Sequence, residues 1–144
     1  PGGAEHAVVL GAGGASRAVQ LALTKLGVGR ITVLRRSDGS MRQLAEHVRS
    51  ADLLVNATPV GTGSDESPVP RDLHRADMAV LDLVYRPDPT RLVRDAQEAG
   101  APAEAGSALL LGQAWRALEH WLGRPAPIDV MRDALTQELE TPDD

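Results

Sequence analysis

A chain of 144 residues with a formal net charge of −5 is sized for a single domain and lacks the broad basic surface that nucleic acid demands. The absence of cysteine excludes disulfides and thiolate metal sites. No apolar run reaches transmembrane length and no basic-then-apolar leader opens the chain, so a cytoplasmic protein with neither membrane nor nucleic-acid partner, and with no metal site, is expected. With no Phe, one Tyr and two Trp, the core has to be built from Leu, Val and Ala. The opening Pro1-Gly2-Gly3 lacks an initiator methionine, and a processed or partial polypeptide is expected.

Taken in order, the apolar run 7–10 predicts a strand, and a helix is predicted over 15–26, ending at Gly27. Between them lies Gly11-Ala12-Gly13-Gly14-Ala15-Ser16. In a strand–turn–helix unit the first glycine permits the tight turn, and the second lets backbone N–H groups approach phosphates. A small residue at Ser16 lets helix and strand pack closely, with the positive helix end aimed at the anion. A plain tight turn is the alternative. The next strand, 30–34, ends in Arg35-Arg36-Ser37, where a chain selective for NAD places an acidic residue on the ribose 2′-hydroxyl. Two guanidiniums favour a 2′-phosphate, because arginine presents a planar fork of donors suited to phosphate oxygens; solvated surface charge is the other account. One helix, 41–49, is predicted to carry the crossover, with Met41, Leu44, Ala45 and Val48 on one face.

A strand over 53–56 runs into Asn56-Ala57-Thr58-Pro59-Val60-Gly61. Its carboxyl end is expected at the crevice where doubly wound sheets bind ligands, so Asn56 and Thr58 are candidates to meet a dinucleotide, or the segment is a simple loop. The polar stretch 62–68 is a lid or a solvated connection. A strand over 78–83 delivers Leu83 and Tyr85 to the same crevice, although the lone tyrosine also suits a cap on the core. A helix over 90–99 starts at a Thr90 cap and ends at Gly100, and a weak fifth strand follows at 101–104. Helices over 107–122 and 128–139 close the chain around Gly123 and two prolines, and the tail 141–144 is expected to fray. Gly106 brings bare backbone to the site, and Gln113, seven residues on, returns to nearly the same helix face. The stripe Leu110, Ala114, Ala117, Leu118, Trp121 and Leu122 is read as core, with some of it open to a partner. The four histidines, His6, His47, His74 and His120, are expected on the surface. Alternating strands and helices give an α/β fold, a Rossmann-like doubly wound parallel sheet with helices on both faces.

These segments together resemble the C-terminal, NADP-binding domain of the shikimate dehydrogenase family. The likeness runs from Val8 to Leu135: the glycine turn, Arg35-Arg36-Ser37 in place of an Asn-Arg-Thr clamp, Asn56 to Gly61, Asp82 to Tyr85 with Pro87 and Thr90, and Gly106 with Gln113. The closing helices, with Glu119, Trp121, Gly123, Pro127 and Met131, fit too. The resemblance implies that Gly11, Ala12, Gly13, Gly14 and Ala15 bind pyrophosphate and that Arg35, Arg36 and Ser37 bind the 2′-phosphate of NADP. It implies that Leu83 and Gly106 contact the nicotinamide side, and that Tyr85 and Gln113 face the substrate. The reaction implied is NADPH-dependent, reversible reduction of 3-dehydroshikimate to shikimate, within aromatic amino acid biosynthesis.

Three departures qualify the likeness. The family's catalytic Lys and Asp belong to motifs upstream of the glycine turn, and the chain starts ten residues before Gly11. Its sole lysine, Lys25, reads as surface charge. The 144 residues are therefore expected to bind cofactor and turn over little, with substrate engaged only alongside an N-terminal domain, in a monomer or homodimer; a stand-alone or degenerate NADP(H) module is the alternative. A glutamyl-tRNA reductase relative is a third, against which Gly106 and Gln113 argue. Second, the short 37–51 crossover predicts loss of edge strand 3 of the usual 3-2-1-4-5-6 order, with a looser clamp because Ser40 stands where a basic residue is usual. Third, Leu109 replaces a frequent Met, a nearly volume-conserving change.

Overall fold

The structure is a computed structural model and describes residues 3–141; of the tail 141–144 expected to fray, residues 142–144 lie outside the described residues. Its core is a parallel sheet of five strands: β1 (His6–Leu10), β2 (Arg30–Leu34), β3 (Leu53–Asn56), β4 (Ala79–Asp82) and β5 (Ala103–Glu104). Their order is β2-β1-β3-β4-β5, so β1 and β3 lie side by side at the point where the winding reverses. β2 is the edge and no strand lies beyond it among the described residues, in line with the expected loss of edge strand 3. The fifth strand is real but only two residues long.

Every residue of β1 is buried, which explains why that strand reads as a continuous apolar run rather than an alternation. Its side chains divide between two layers. Val8 and Leu10 join Leu54, Val80 and Leu92 on one face, beneath α2 (Leu44–Arg49) and α3 (Arg91–Glu98). Ala7 and Val9 join Val55 and Leu23 on the other, beneath α1 (Gly14–Lys25). Full burial of each such Leu or Val is worth about 1.5–3 kcal/mol, so the centre of the sheet is its most firmly held part. The predicted helices on both faces are there.

The crossover departs from the single helix expected over 41–49. A 3-10 turn, Ser40–Gln43, precedes α2. Side chains divert the backbone here: Ser40 N–H donates to Asp38 Oδ1 at 2.9 Å, and Arg35 N–H donates to Ser40 Oγ at 2.8 Å. Gly39, at φ +76°, makes the tight entry that these bonds require. A second 3-10 turn, Arg71–Leu73, lies in a stretch for which local sequence predicts no element.

Two further helices, α4 (Gly106–Leu122) and α5 (Ile128–Glu140), pack on each other. Gly106 is the single buried residue of α4, and α5 has none. The apolar stripe of α4 is not core: Trp121 is 76% exposed and Leu122 53%, because α5 covers only part of it. No helix among the described residues is long and apolar enough to cross a membrane, and no group of three His, Cys, Asp or Glu among them is placed to hold a metal. Lys25 is exposed.

Two histidines depart from the expected surface position. His6 is buried at the base of β1, with Nε2 3.0 Å from Thr32 Oγ1 and Nδ1 2.8 Å from Arg30 Nη2 and 3.0 Å from Ser50 O. His74 is buried and neither ring nitrogen has a hydrogen-bond partner among the described residues. Burial pushes its pKa below the ordinary 6.5, against a weaker upward pull from the Asp95 carboxylate. The unfolded chain therefore binds a proton that the folded chain refuses, so stability falls as pH drops through 6.5 toward the folded value. Denaturant unfolding at pH 7.5 and 5.5 will reveal a loss on acidification, at a slope of up to about 1.4 kcal/mol per pH unit from this one group. His74→Leu will lose measurably less; an identical pH dependence in the variant would refute the assignment.

Candidate functional site

The site lies along the carboxyl ends of β2, β1, β3 and β4. Gly11 leaves β1 at φ +105°, and a Cβ there would sit 2.7 Å from Ala57 O, so only glycine satisfies both the torsion and the space. Gly11 N–H donates to Leu34 O at 2.8 Å, which keeps the turn attached to the edge strand. Ser16 is fully buried and its hydroxyl donates to Gly11 O at 2.8 Å, closing the helix onto the turn.

Above the turn the geometry is different. A Cβ at Gly13 or Gly14 would meet nothing within 4 Å. Gly13 is the N-cap of α1, with no side chain to cap it, and no acidic residue lies in the first turn. The helix thus presents its unsatisfied N–H groups and positive end to open space. Arg35, Arg36 and Ser37 follow β2 as exposed residues and line, with Gly11, Gly13 and Thr58, a cavity of about 560 Å³. The structure brings together glycine turn and arginine pair, 24 residues apart in sequence.

A buried carboxylate shapes the next wall. Asp82, at the end of β4, accepts from Asn56 Nδ2 at 2.9 Å, from Val84 N–H at 3.0 Å and from Thr90 Oγ1 at 2.7 Å. Burial pushes its pKa up, and those three donors pull against the rise. Asn56 is itself fully buried: beyond Asp82 it donates to Val60 O, and its Oδ1 accepts from Thr58 N–H and Thr58 Oγ1. Asn56 therefore folds the loop that presents Thr58, while its own side chain is committed within the chain. The Asn and Asp stood in the sequence as loop and strand ends; nothing local in it marked them as one network.

Past this wall a second cavity, of about 640 Å³, is lined by Ala15, Thr58, Leu83, Tyr85, Arg86 and Leu110 among others. The two cavities share Ala57, Thr58 and Pro59 and form one trough from β2 to β4. Tyr85 is 48% exposed, so it does not cap the core. Gly106 starts α4 against β4: its N–H donates to Val84 O at 3.0 Å, and a Cβ would fall 2.3 Å from Leu83 O. Gln113 is exposed on α4, and it is Leu110 from that helix that lines the cavity. The 62–68 segment borders both cavities, with Thr62 and Gly63 at one and Ser67 and Pro68 at the other. It is tied down at Asp65, which pairs with Arg91 at 3.1 Å and also with Arg94.

Two substitutions test this architecture. Asp82→Ala strands three buried donors and is expected to cost about 2–4 kcal/mol of stability. Asp82→Asn keeps an acceptor for Asn56 and Val84, and Thr90 is able to turn and accept, so it will cost clearly less. Gly106→Ala is expected to lower the melting temperature by several degrees, because the overlap is with backbone. Thermal melts followed by circular dichroism check both; equal losses for the two Asp82 variants would remove the network from the account.

Known proteins are similar to this chain in both sequence and fold. A family model described as "Shikimate 5'-dehydrogenase C-terminal domain" matches residues 106–136. Shikimate dehydrogenase (NADP(+)) of Natronomonas pharaonis is 45% identical over 148 residues, covering 92% of this chain and 56% of that protein. The corresponding protein of Haloarcula marismortui is 40% identical with the same coverage. The chain thus spans about half the length of the curated relatives it matches. Among solved structures, shikimate 5-dehydrogenase of Thermus thermophilus in complex with NADP(H) and shikimate superposes with a TM-score of 0.78 at 37% identity, over 91% of this chain and 54% of that one. Quinate dehydrogenase of Corynebacterium glutamicum in complex with NAD has a TM-score of 0.85 at 24% identity, over 92% and 55%, a likeness of fold.

Proposed function

The chain belongs to the shikimate dehydrogenase family and corresponds to the C-terminal half of its relatives, and we propose that it is a single domain that binds NADP(H) for reversible reduction of 3-dehydroshikimate to shikimate. The observation that carries this reading is the trough joining an uncapped helix start to two arginines. The space over Gly13 and Gly14, where an added Cβ would touch nothing, fits a pyrophosphate held by backbone N–H groups of Ala12, Gly13, Gly14 and Ala15, with Gly11, whose own N–H is spent on Leu34 O, making the turn beneath it. Arg35, Arg36 and Ser37 take the 2′-phosphate, and Thr58, whose hydroxyl proton goes to Asn56 Oδ1, lines the trough between the two ends. Leu83 and Gly106 receive the nicotinamide end, and Tyr85 and Gln113 are the proposed substrate-facing residues. NADPH, when bound, supplies the hydride.

The protein's own share is to fix the cofactor and exclude water around it. Lys25, the one lysine, lies exposed at the far end of α1, away from any role in moving the substrate's alcohol proton. General acid–base groups are commonly worth about 10²–10⁴ in rate, and a positioned substrate still more. The 144 residues alone are therefore expected to bind cofactor without appreciable turnover, and catalysis belongs to their assembly with a substrate-binding half. Small-molecule substrate, rather than nucleic acid or membrane, is the partner in this reading, and the setting is cytoplasmic.

Calorimetric titration of the chain with NADP⁺ and NAD⁺ at matched low salt tests it. NADP⁺ is expected to bind at least about tenfold more tightly, ~1.4 kcal/mol. Arg36→Ala is expected to weaken NADP⁺ by about tenfold while leaving NAD⁺ nearly unchanged. Binding of neither nucleotide would overturn the proposal.

A further inference from the structure

The two arginines of the clamp are not equivalent. Arg36 is exposed and makes no ion pair among the described residues, whereas Arg35 Nε lies 3.0 Å from Asp38 Oδ2. That carboxylate is held at both oxygens, because Asp38 Oδ1 accepts from Ser40 N–H at 2.9 Å. Ser40 in turn is bound to Arg35 through its hydroxyl, which accepts from Arg35 N–H at 2.8 Å and donates to Arg35 O at 3.2 Å. The result is a closed ring of Arg35, Asp38 and Ser40, made possible by Gly39 in the left-handed region. Hydrogen bonds from Ser40 and the charge of Arg35 hold the Asp38 carboxyl below its ordinary pKa, so it is ionised at neutral pH.

Resting on the NADP(H) reading above, we propose that Asp38 is a built-in counter-anion of the clamp that sets nucleotide selectivity: it occupies Arg35 and leaves Arg36 as the principal cation for a 2′-phosphate. A guanidinium grips a phosphate best through two parallel N–H groups, and the Nε edge of Arg35 is already taken. The carboxylate also repels an incoming phosphate dianion. Both members of the pair are about half exposed, so the repulsion is screened by water and salt and tunes affinity without abolishing it. NAD⁺, with a hydroxyl in that position, is indifferent to the pair. Selectivity for the 2′-phosphate is thus lower than two unopposed arginines would give.

The test is a double-mutant cycle on the full chain, read by calorimetric Kd for NADP⁺ and NAD⁺ at fixed low salt. Asp38→Asn keeps the acceptor for Ser40 N–H and removes only the charge. It is expected to tighten NADP⁺ by about tenfold, the order set by one unit charge a few ångströms away in a largely aqueous setting, with NAD⁺ changed less than about twofold. In an Arg35→Ala background the gain should be smaller than in the wild-type background, because the freed guanidinium is gone and only the direct repulsion of the phosphate by Asp38 is relieved. Asp38→Ser, which retains a short turn-forming side chain, is expected to reproduce the gain. No gain with Asp38→Asn, an equal gain for both nucleotides, or a full gain without Arg35 would each overturn the proposal. NAD⁺ binding with no NADP⁺ binding in any variant overturns it while leaving a nucleotide site standing; binding of neither nucleotide defeats the underlying functional reading as well.

Discussion

The buried carboxylate of Asp82 is the constraint on which the trough depends. It sits at the end of β4 and accepts hydrogen bonds from the end of β3 through Asn56, from its own following loop through Val84, and from the cap of α3 through Thr90. All three neighbours donate, which is the geometry of an ionised acceptor, while burial favours the neutral acid; the donors are what make the buried charge tolerable. The end of β3, 26 residues away in sequence, and the nearby cap of α3 are thereby fixed at one point. The walls on either side, Ala57 to Pro59 and Leu83 to Tyr85, inherit their positions from it. The Thr90 hydroxyl serves twice, donating to Asp82 and accepting from Val93 N–H, so the start of α3 and the floor of the site are set together.

Against this fixed floor the upper surfaces are set by two close backbone approaches. Gly11 brings the turn onto Ala57 O, and Gly106 brings the start of α4 onto Leu83 O. Ala57 adjoins Asn56 and Leu83 adjoins Asp82, so each approach lands beside a member of the carboxylate network. A side chain at either glycine would push against backbone that the network holds rigid, leaving no soft neighbour to absorb the overlap. The open glycines, Gly13 and Gly14, are of the opposite kind: their lack of Cβ costs stability in a helix start and clears space for a ligand.

Local sequence made the central architecture legible, because β1, β2 and β3 carry apolar runs whose burial depends on little besides their own composition. The glycine turn and Arg35-Arg36 were visible for the same reason: each is a contiguous signal at a set distance from a strand. What stayed hidden was nonlocal. Asp65 meets Arg91 and Arg94 across 26 and 29 residues, and Asn56 meets Asp82 across 26, separations at which no periodicity operates. The burial of His6 and His74 was missed because a polar residue beside an apolar segment reads as its edge; in β1 the burial begins at His6. In the crossover, the Asp38 and Ser40 side chains bond to nearby backbone and convert the expected helix start into a 3-10 turn. The stripe on α4 illustrates the reverse limit, since amphipathic spacing tells which residues share a face but not whether anything lies on it.

That uncovered stripe and the chemistry of the trough lead to one view of the division of labour. The groups proposed to bind a dinucleotide are backbone N–H groups, arginines and a serine hydroxyl, and all of them are held by the sheet and its loops. A proton-transfer reaction also needs an ionisable group within hydrogen-bond reach of the reacting atom. The lysine is remote from the trough, and the buried Asp82 already spends its acceptor capacity on three internal donors. An apolar stripe that ends in Trp121 at 76% exposure is costly to leave in water, and it flanks the same end of the trough through Leu110. Under the proposed function a partner for that face and for the reacting proton lies outside the groups that hold the cofactor, and the stripe stands beside the cavity where both would meet.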